Sequence, residues 1–436
     1  MTVSEDLRDL LQHLRETGFP TAEVYCKRGR SKRFELGPQG RLASSCQEEG
    51  WALRVGNARS SFFATGTGRP RPAGAWPPPD GQPIELPGPR PIPAWRAPAD
   101  LDAPLVVESE AFAFLEGLEQ ELEGELPGAR LLRAVLEEGT SETELANSQE
   151  LEVSFRSRGA SLYLETASAA GGEGLSFHLA EREVRRFNPV ALARLMANRL
   201  HLTRGGEPPQ RDRGEILLAP PVGIRILAAL QPLFLGPKGS ERAKALRDRR
   251  GSIGSPCLTV VDDGRLPGGV LEAPVDGEGF PTRAVVLVEE GRYRQSLLTW
   301  WQDRSSPSRA SGCVRRPSWR DVPRPGFSHL YLKPDDSVSA GSLLEAVARG
   351  YYLVDVAGPG QFDLEEDRFR LPVSGFALRQ GKPATPVVGA LLCGSVSALL
   401  QGIQAVARDL TFRPLDGMIG SPSLLVTGVE LRRHSS

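Results

Sequence analysis

Histidine is scarce in this chain: five in 436 residues, at His13, His178, His201, His329 and His434. No two stand three or four residues apart, so no single helical turn can offer two imidazoles to one metal ion, as a zinc-dependent hydrolase requires. Lysine is also rare, six against 47 arginines, and 53 basic residues face 54 acidic ones. That balance gives no electrostatic basis for binding nucleic acid or an anionic membrane. Cysteine is limited to Cys26, Cys46, Cys257, Cys313 and Cys393, odd in number and without C-x-x-C spacing. They read as free thiols in a reducing compartment. The first residues lack a basic stretch leading into an apolar one, so no signal peptide is expected. The longest apolar run, 387–400, is broken by Gly389, Gly394, Ser395 and Ser397, and a bilayer span needs about 20 residues. A cytoplasmic protein without membrane segments is the expectation.

The composition that remains, 40% hydrophobic and 25% charged, is that of a globular chain with room for more than one core. Leu7, Leu10, Leu11 and Leu14 mark an amphipathic helix with Ser4 as its N-cap and Gly18 ending it. Strand-like runs follow at 22–28, 32–36, 51–55 and 60–65. Eleven prolines between 70 and 98 then break the composition. This 66–98 segment reads as an extended surface connection, or alternatively as an arm that packs on a partner. Beyond it, 109–123 reads as a helix. Strands are expected at 129–137, 151–158 and 161–166, the last two joined by a tight corner at Arg158-Gly159-Ala160. A helix over 189–200 has Asn188 as cap and Pro189 at its first position.

The Gly/Pro-rich stretch 205–210 suggests a boundary between an N-terminal domain, 1–206, and a C-terminal one, 207–436. The second is β-rich, with strands at 258–261, 284–289, 292–298, 328–332, 351–356, 371–379 and 423–429. Its expected helices are 221–233, 342–349 and 395–407. The fold class is α+β.

Several groups could carry chemistry, and each has a simpler reading. Asp262-Asp263-Gly264 and Asp276-Gly277-Glu278-Gly279 miss EF-hand spacing and read as turns. Gly251-Ser252-Ile253-Gly254 lacks the strand–loop–helix context and the lysine of a phosphate cradle. Ser252 and Ser255 have no assignable histidine–acid pair. Cys393 lies in an apolar run and reads as a buried structural thiol, and His178 and His201 stand alone. No residue is assigned a catalytic, cofactor-binding or metal-binding role, and no cofactor is expected. An enzyme of other chemistry using Asp262, Asp276, Glu278 or Cys313 is a minor alternative.

Residues 215–230, then Gly251–Gly254 with Asp262-Asp263, Gly279-Phe280-Pro281-Thr282, the 310–316 run through Arg315-Arg316, and Gly420-Ser421-Pro422-Ser423 together resemble the TldD/PmbA metallopeptidase family. More weakly, 49–55 and 60–65 resemble its N-terminal part. In zinc-bearing members the helix after the 215–218 strand carries His-Glu-x-x-x-His, and a third ligand is similar to a cysteine near the C-terminus. Here 221–230 holds neither histidine nor glutamate, and 411–423 holds no cysteine. Departures at Gly326-Phe327-Ser328-His329-Leu330 and Pro334-Asp335 put substrate contacts there in question.

The resemblance implies the metal-free, TldE (PmbA)-like branch, with a C-terminal pseudo-barrel capped by helices. It also implies pairing with a TldD-like zinc-bearing subunit, and an unfolded or extended peptide as substrate. The alternative is a stand-alone homodimer that binds peptide or another ligand without hydrolysis.

Overall fold

The computed structural model describes residues 3–57, 59–71, 81, 84–92, 99–168, 174–202, 206–209, 214–300, 302 and 312–434. Its first sheet is six-stranded and antiparallel, two three-stranded meanders side by side. In spatial order the strands are β3 (Ser61–Thr67), β2 (Gly40–Gly56), β1 (Thr21–Gly37), β4 (Ala129–Asn147), β5 (Glu152–Ser168) and β6 (Leu175–Glu181). Side chains alternate across a strand, and the two faces of this sheet have opposite character. On one face Val24, Leu53, Val55 and Ala146 pack under Leu7, Leu10 and Leu14 of α1 (Glu5–Glu16). On the same face Phe34, Leu136, Leu162 and Leu164 pack under α2 (Glu108–Glu125) and α3 (Pro189–Leu202). The opposite face carries Lys27, Gly29, Ser31, Gly139, Ser141, Thr143, Phe155, Ser157 and Gly159, and only its far end is apolar.

Two open mixed sheets make the second half. One runs β10 (Arg292–Tyr293), β9 (Ala284–Glu289), β8 (Val260–Asp263), β13 (His329–Leu332), β20 (Gly417–Ser421), β19 (Thr411–Leu415). The other runs β18 (Ile403–Val406), β21 (Leu424–Val426), β7 (Glu215–Leu218), β14 (Arg349–Val356), β16 (Arg368–Arg379), β17 (Lys382–Gly394), β22 (Glu430–Arg433), with β15 (Gln361–Asp363) beside β16. They share one apolar core with α4 (Pro220–Leu230), α5 (Gly236–Arg250) and α7 (Val396–Gln401). A short helix, α6 (Ala340–Ala346), packs outside it through Leu343, and β11 (Val314–Arg315) pairs with β12 (Arg324–Pro325) as a separate ribbon. The α+β class and β-rich second half are as expected. The pseudo-barrel takes the form of two open sheets around a shared core, with no sheet closed on itself.

Several sequence expectations are corrected. No corner exists at 158–160: β5 runs straight through, because Gly159 pairs with Gly139 of β4 and the next residue, Ala160, pairs with both Glu138 and Glu181. The runs at 22–28 and 32–36 are one strand for the same reason, residues 23–36 being paired without a break to both β2 and β4. Ser4 sits at the N-cap of α1 but its hydroxyl donates to Glu144 (2.9 Å) instead of capping. The stretch 292–298 forms strand only at 292–293, whereas α5 and the β19–β20 hairpin were unexpected. Part of the Pro-rich segment lies outside the described residues. The described part is pinned to its own chain: Asn147 donates to the Pro87 carbonyl (2.9 Å), and Arg90 lies over Phe280 and Trp300 at 4.7 and 5.1 Å.

Candidate functional site between the two halves

Helix α4 is where metal chemistry would be expected, and its residues do not fit a metal. Pro220 and Pro221 occupy its first turn, where their missing N–H groups cost nothing. Val222, Gly223, Ile224, Ile226, Leu227 and Leu230 are buried, and its one ionisable residue, Arg225, is exposed. Gly223 lies so close to β20 that a Cβ would meet Ser421 Oγ at 2.1 Å. The void beside the helix is about 20 Å³, lined by apolar side chains alone. Among the described residues no three His, Cys, Asp or Glu side chains are grouped to hold a metal ion. No chemical step through zinc can be derived from this donor set.

The open space lies elsewhere, between the polar face of the first sheet and loops of the second half. A cleft of about 450 Å³ is bounded by Tyr25, Lys27, Thr143 and Phe155 on the sheet, and by 270–277, 314–317 and 324–327 opposite. A second cavity of about 240 Å³ continues over Gly29, Ser31, Gly139 and Cys46. The two share Ser141, Ser157, Arg158 and Gly159, so they form one groove. Its floor follows from the register: Gly29 lies opposite Ser141, Ser31 opposite Gly139, Ser141 opposite Ser157 and Gly139 opposite Gly159. Three strands thus place hydrogen or hydroxymethyl side chains at adjoining positions, leaving a trough. Ser141 and Ser157 hydroxyls bond each other at 2.8 Å. At one rim Trp319 Nε1 and Arg320 Nη1 donate to Glu48 (2.9 and 2.7 Å), which holds its carboxyl below the usual range. Past that rim, among the described residues, 40–48 of β2 pair only with β1, since β3 reaches no further than Gly50.

Buried charge locks the halves together at the inner end. Arg54 donates both Nε and Nη2 to Glu23 (2.8 and 2.6 Å), and its Nη1 lies 3.6 Å from Glu278. Arg316 donates to Glu23 and, through Nε, to the Gly277 carbonyl (2.8 Å), with its guanidinium over the Tyr25 ring. Burial acts to raise the Glu23 carboxyl, but the two guanidinium groups win and hold it low. Glu278 also accepts from Trp300 N (2.8 Å), and burial keeps its carboxyl raised.

The acids singled out in the sequence serve different ends. Asp276 accepts backbone N–H bonds from Glu278, Phe280 and Val314 (2.9, 2.9 and 3.1 Å), so it is the expected turn residue, and burial pushes its carboxyl up to about 7. Gly279 completes that turn at φ +79°, with no room for a Cβ against Leu145 and Leu151. Asp263 likewise accepts from Arg265 N (2.8 Å). Asp262, however, lies in β8 and not in a turn. Its Oδ1 accepts from Ser328 N (2.8 Å), its Oδ2 is buried with no partner among the described residues, and burial pushes the carboxyl up to about 7. Asp276 and Glu278 are brought together, while Asp262 sits apart, behind Arg315.

His329, in the run that departs from the family pattern, is a buried staple. Its Nδ1 donates to the Asp263 carbonyl (2.8 Å), its Nε2 accepts from Leu271 N (3.3 Å), and burial pushes it down to about 4. Ser252 is held by Gln401 (2.8 Å), Cys313 is buried in the core, and His201 is exposed. The groove itself was missed in the sequence. Its only signal was the clustering of small residues at 29–31, 139–141 and 157–159, which becomes visible once the strands are in register.

Residues 211–433 match the model of the PmbA/TldA metallopeptidase C-terminal domain. The chain belongs to the PmbA/TldD family. The metalloprotease TldD homolog of Buchnera aphidicola is 27% identical over 169 residues, 38% of this chain and 35% of that one. The match to such curated relatives thus spans about a third of their length. TldE from Thermococcus kodakarensis superposes with a TM-score of 0.84 at 18% identity, over 98% of this chain and 100% of that one. A Thermotoga maritima protein described as a candidate modulator of a DNA gyrase gives 0.81 at 16% identity, over 98% and 99%. At these identities the likeness shows the fold, and this PmbA/TldD-family chain has it from end to end.

Proposed function

We propose that the chain is the non-catalytic, TldE-like subunit of a two-chain zinc metallopeptidase. It holds an unfolded or extended peptide while a TldD-like partner supplies the metal. One contrast carries the reading: α4 is packed and without donors, while a groove floored by small side chains stays open on the sheet. A trough of glycine and serine accepts a backbone of any sequence, and the free edge of β2 beside it offers main-chain partners. The five free cysteines and the absence, among the described residues, of a helix long and apolar enough to cross a membrane suit a cytoplasmic complex. The division of the chain near 206/207 into two domains fits a groove formed at their junction.

Cleavage of an unfolded peptide by the chain alone, by a TldD-like chain alone and by their mixture tests this. Only the mixture should cut well, and Ser157→Phe, which fills the floor, should lower its rate at least tenfold. Cleavage by the chain alone would refute the assignment. A second reading, a homodimer that captures peptide without hydrolysis, is favoured by the same lack of metal donors on α4. It predicts peptide binding without complex formation on co-expression.

A further inference from the structure

The ribbon β11–β12 that walls the inner groove places Arg315 directly opposite Arg324. Like charges at opposed positions of an antiparallel pair repel and destabilise it. Both residues line the cleft, and among the described residues neither forms an ion pair. Nε and Nη2 of Arg315, the edge of a guanidinium that grips a carboxylate with two parallel bonds, are buried and have no acceptor among the described residues. Asp262 lies behind Arg315 but does not pair with it, its own Oδ2 being unpartnered as well. Lys27, on the sheet across the cleft, likewise has no ion-pair partner among the described residues.

The cleft also holds acids. Asp276 is committed to three backbone N–H groups, Glu272 accepts from Gly268 N (3.2 Å), and Asp416 is exposed at the β19–β20 hairpin tip. The other two cations are spoken for, Arg316 by Glu23 and Arg158 by Glu138 (2.8 Å). Unpaired positive charge is therefore concentrated on the opposed arginines and Lys27. Leaving a half-buried guanidinium without an acceptor costs stability that a bound anion would return.

We propose that Arg315 and Arg324, with Lys27 facing them, form a carboxylate-binding subsite at the inner end of the groove. This inference rests on the groove being a peptide site and adds a preference: the bound segment presents a carboxylate there. The carboxylate belongs either to the C-terminus of the peptide or to an Asp or Glu side chain, since the planar two-oxygen chemistry is the same.

Fluorescence anisotropy with the full chain and labelled 12-residue unfolded peptides tests this. One peptide is neutral and C-terminally amidated, a second has a free C-terminus, and a third is amidated with one internal aspartate. The free-acid or the aspartate peptide should bind about tenfold more tightly than the neutral one, and whichever does identifies the source of the carboxylate. Arg315→Gln and Arg324→Gln should each abolish that preference, so that each variant binds its charged peptides no more tightly than it binds the neutral one. Thermal melts within a few degrees of wild type establish that the variants are folded. Equal binding of all three peptides would overturn the subsite and leave the peptide groove standing. Binding of none would overturn both. Displacement of every peptide alike by inorganic phosphate at low concentration would overturn the carboxylate assignment in favour of a phosphate site.

Discussion

Helix α4 and the groove floor solve opposite packing problems with short side-chain vocabularies. Around α4, branched apolar residues from two sheets and three helices close on each other until about 20 Å³ of dry space remains. On the groove floor, glycine and serine recur at adjoining positions of neighbouring strands, and about 450 Å³ stays open beside them. The difference teaches where this chain has kept its capacity to interact. The helix that bears metal ligands in zinc-bearing relatives serves here as core. The groove left open between the polar face of the first sheet and the loops of the second half is lined by the uncommitted donors. Between them stands the buried Glu23–Arg54–Glu278–Arg316 seam, which fixes the two walls of the groove relative to each other.

The sharpest way to break that comparison is at the seam. Glu23→Ala leaves Arg54 and Arg316 buried without their shared carboxylate, and should cost about 3–5 kcal/mol in denaturant unfolding. A change below about 1 kcal/mol would mean that the two walls are held by something else. Next, Leu227→Ala in α4 opens a cavity in a core that cannot collapse, and should cost about 2–5 kcal/mol. Ser157→Ala on the floor should stay within about 0.5 kcal/mol, because the hydroxyl it loses borders open space. Similar costs at the two positions would erase the distinction between packed helix and open floor.

Titration sharpens the same contrast at the edge of the groove. His329 is held neutral down to about pH 4 in the fold, whereas an unfolded histidine takes its proton near 6.5. Its contribution is therefore complete above about pH 6.5 and is lost as pH falls towards 4, on the order of 3 kcal/mol. Asp262 runs the other way: the fold keeps its proton up to about pH 7, so its contribution is lost as pH rises from about 4 to 7. The opposed slopes partly cancel in the wild type, so they are read as differences. The deficit of His329→Gln should shrink as pH falls from 6.5 to 4. Asp262→Asn should gain roughly 1–2 kcal/mol over wild type at pH 8, a gain that vanishes by pH 4. Parallel pH profiles for either variant and wild type would show that these groups are not shielded as the structure places them.

Much of the fold was legible because it rests on local signals. Leu7, Leu10 and Leu14 announced α1, and Asn188-Pro189 announced the start of α3, where Asn188 Oδ1 accepts from Ala191 N (3.1 Å). The emptiness of α4 was legible too, since a missing histidine needs no tertiary context. Strand lengths were not. Gly29 and Gly159 punctuate the sequence like turns, yet both lie mid-strand, Gly29 between Glu48 of β2 and the sequence-distant Ser141 of β4, and Gly159 opposite Gly139. The groove was illegible for the same reason: its floor exists only when β1, β4 and β5 are in register. The opposed arginines depend on a two-residue ribbon whose strands carry no pattern of their own.

The central claim, that this chain shapes a peptide site and leaves the metal to a partner, is tested most directly by counting zinc. Native mass spectrometry of the full chain after exposure to excess zinc, alone and mixed with a TldD-like chain, gives that count. The account predicts no zinc on this chain alone and, in a mixed complex, only as many zinc ions as there are TldD-like chains. One tightly held zinc per copy of this chain on its own, with cleavage of unfolded peptide, would contradict it.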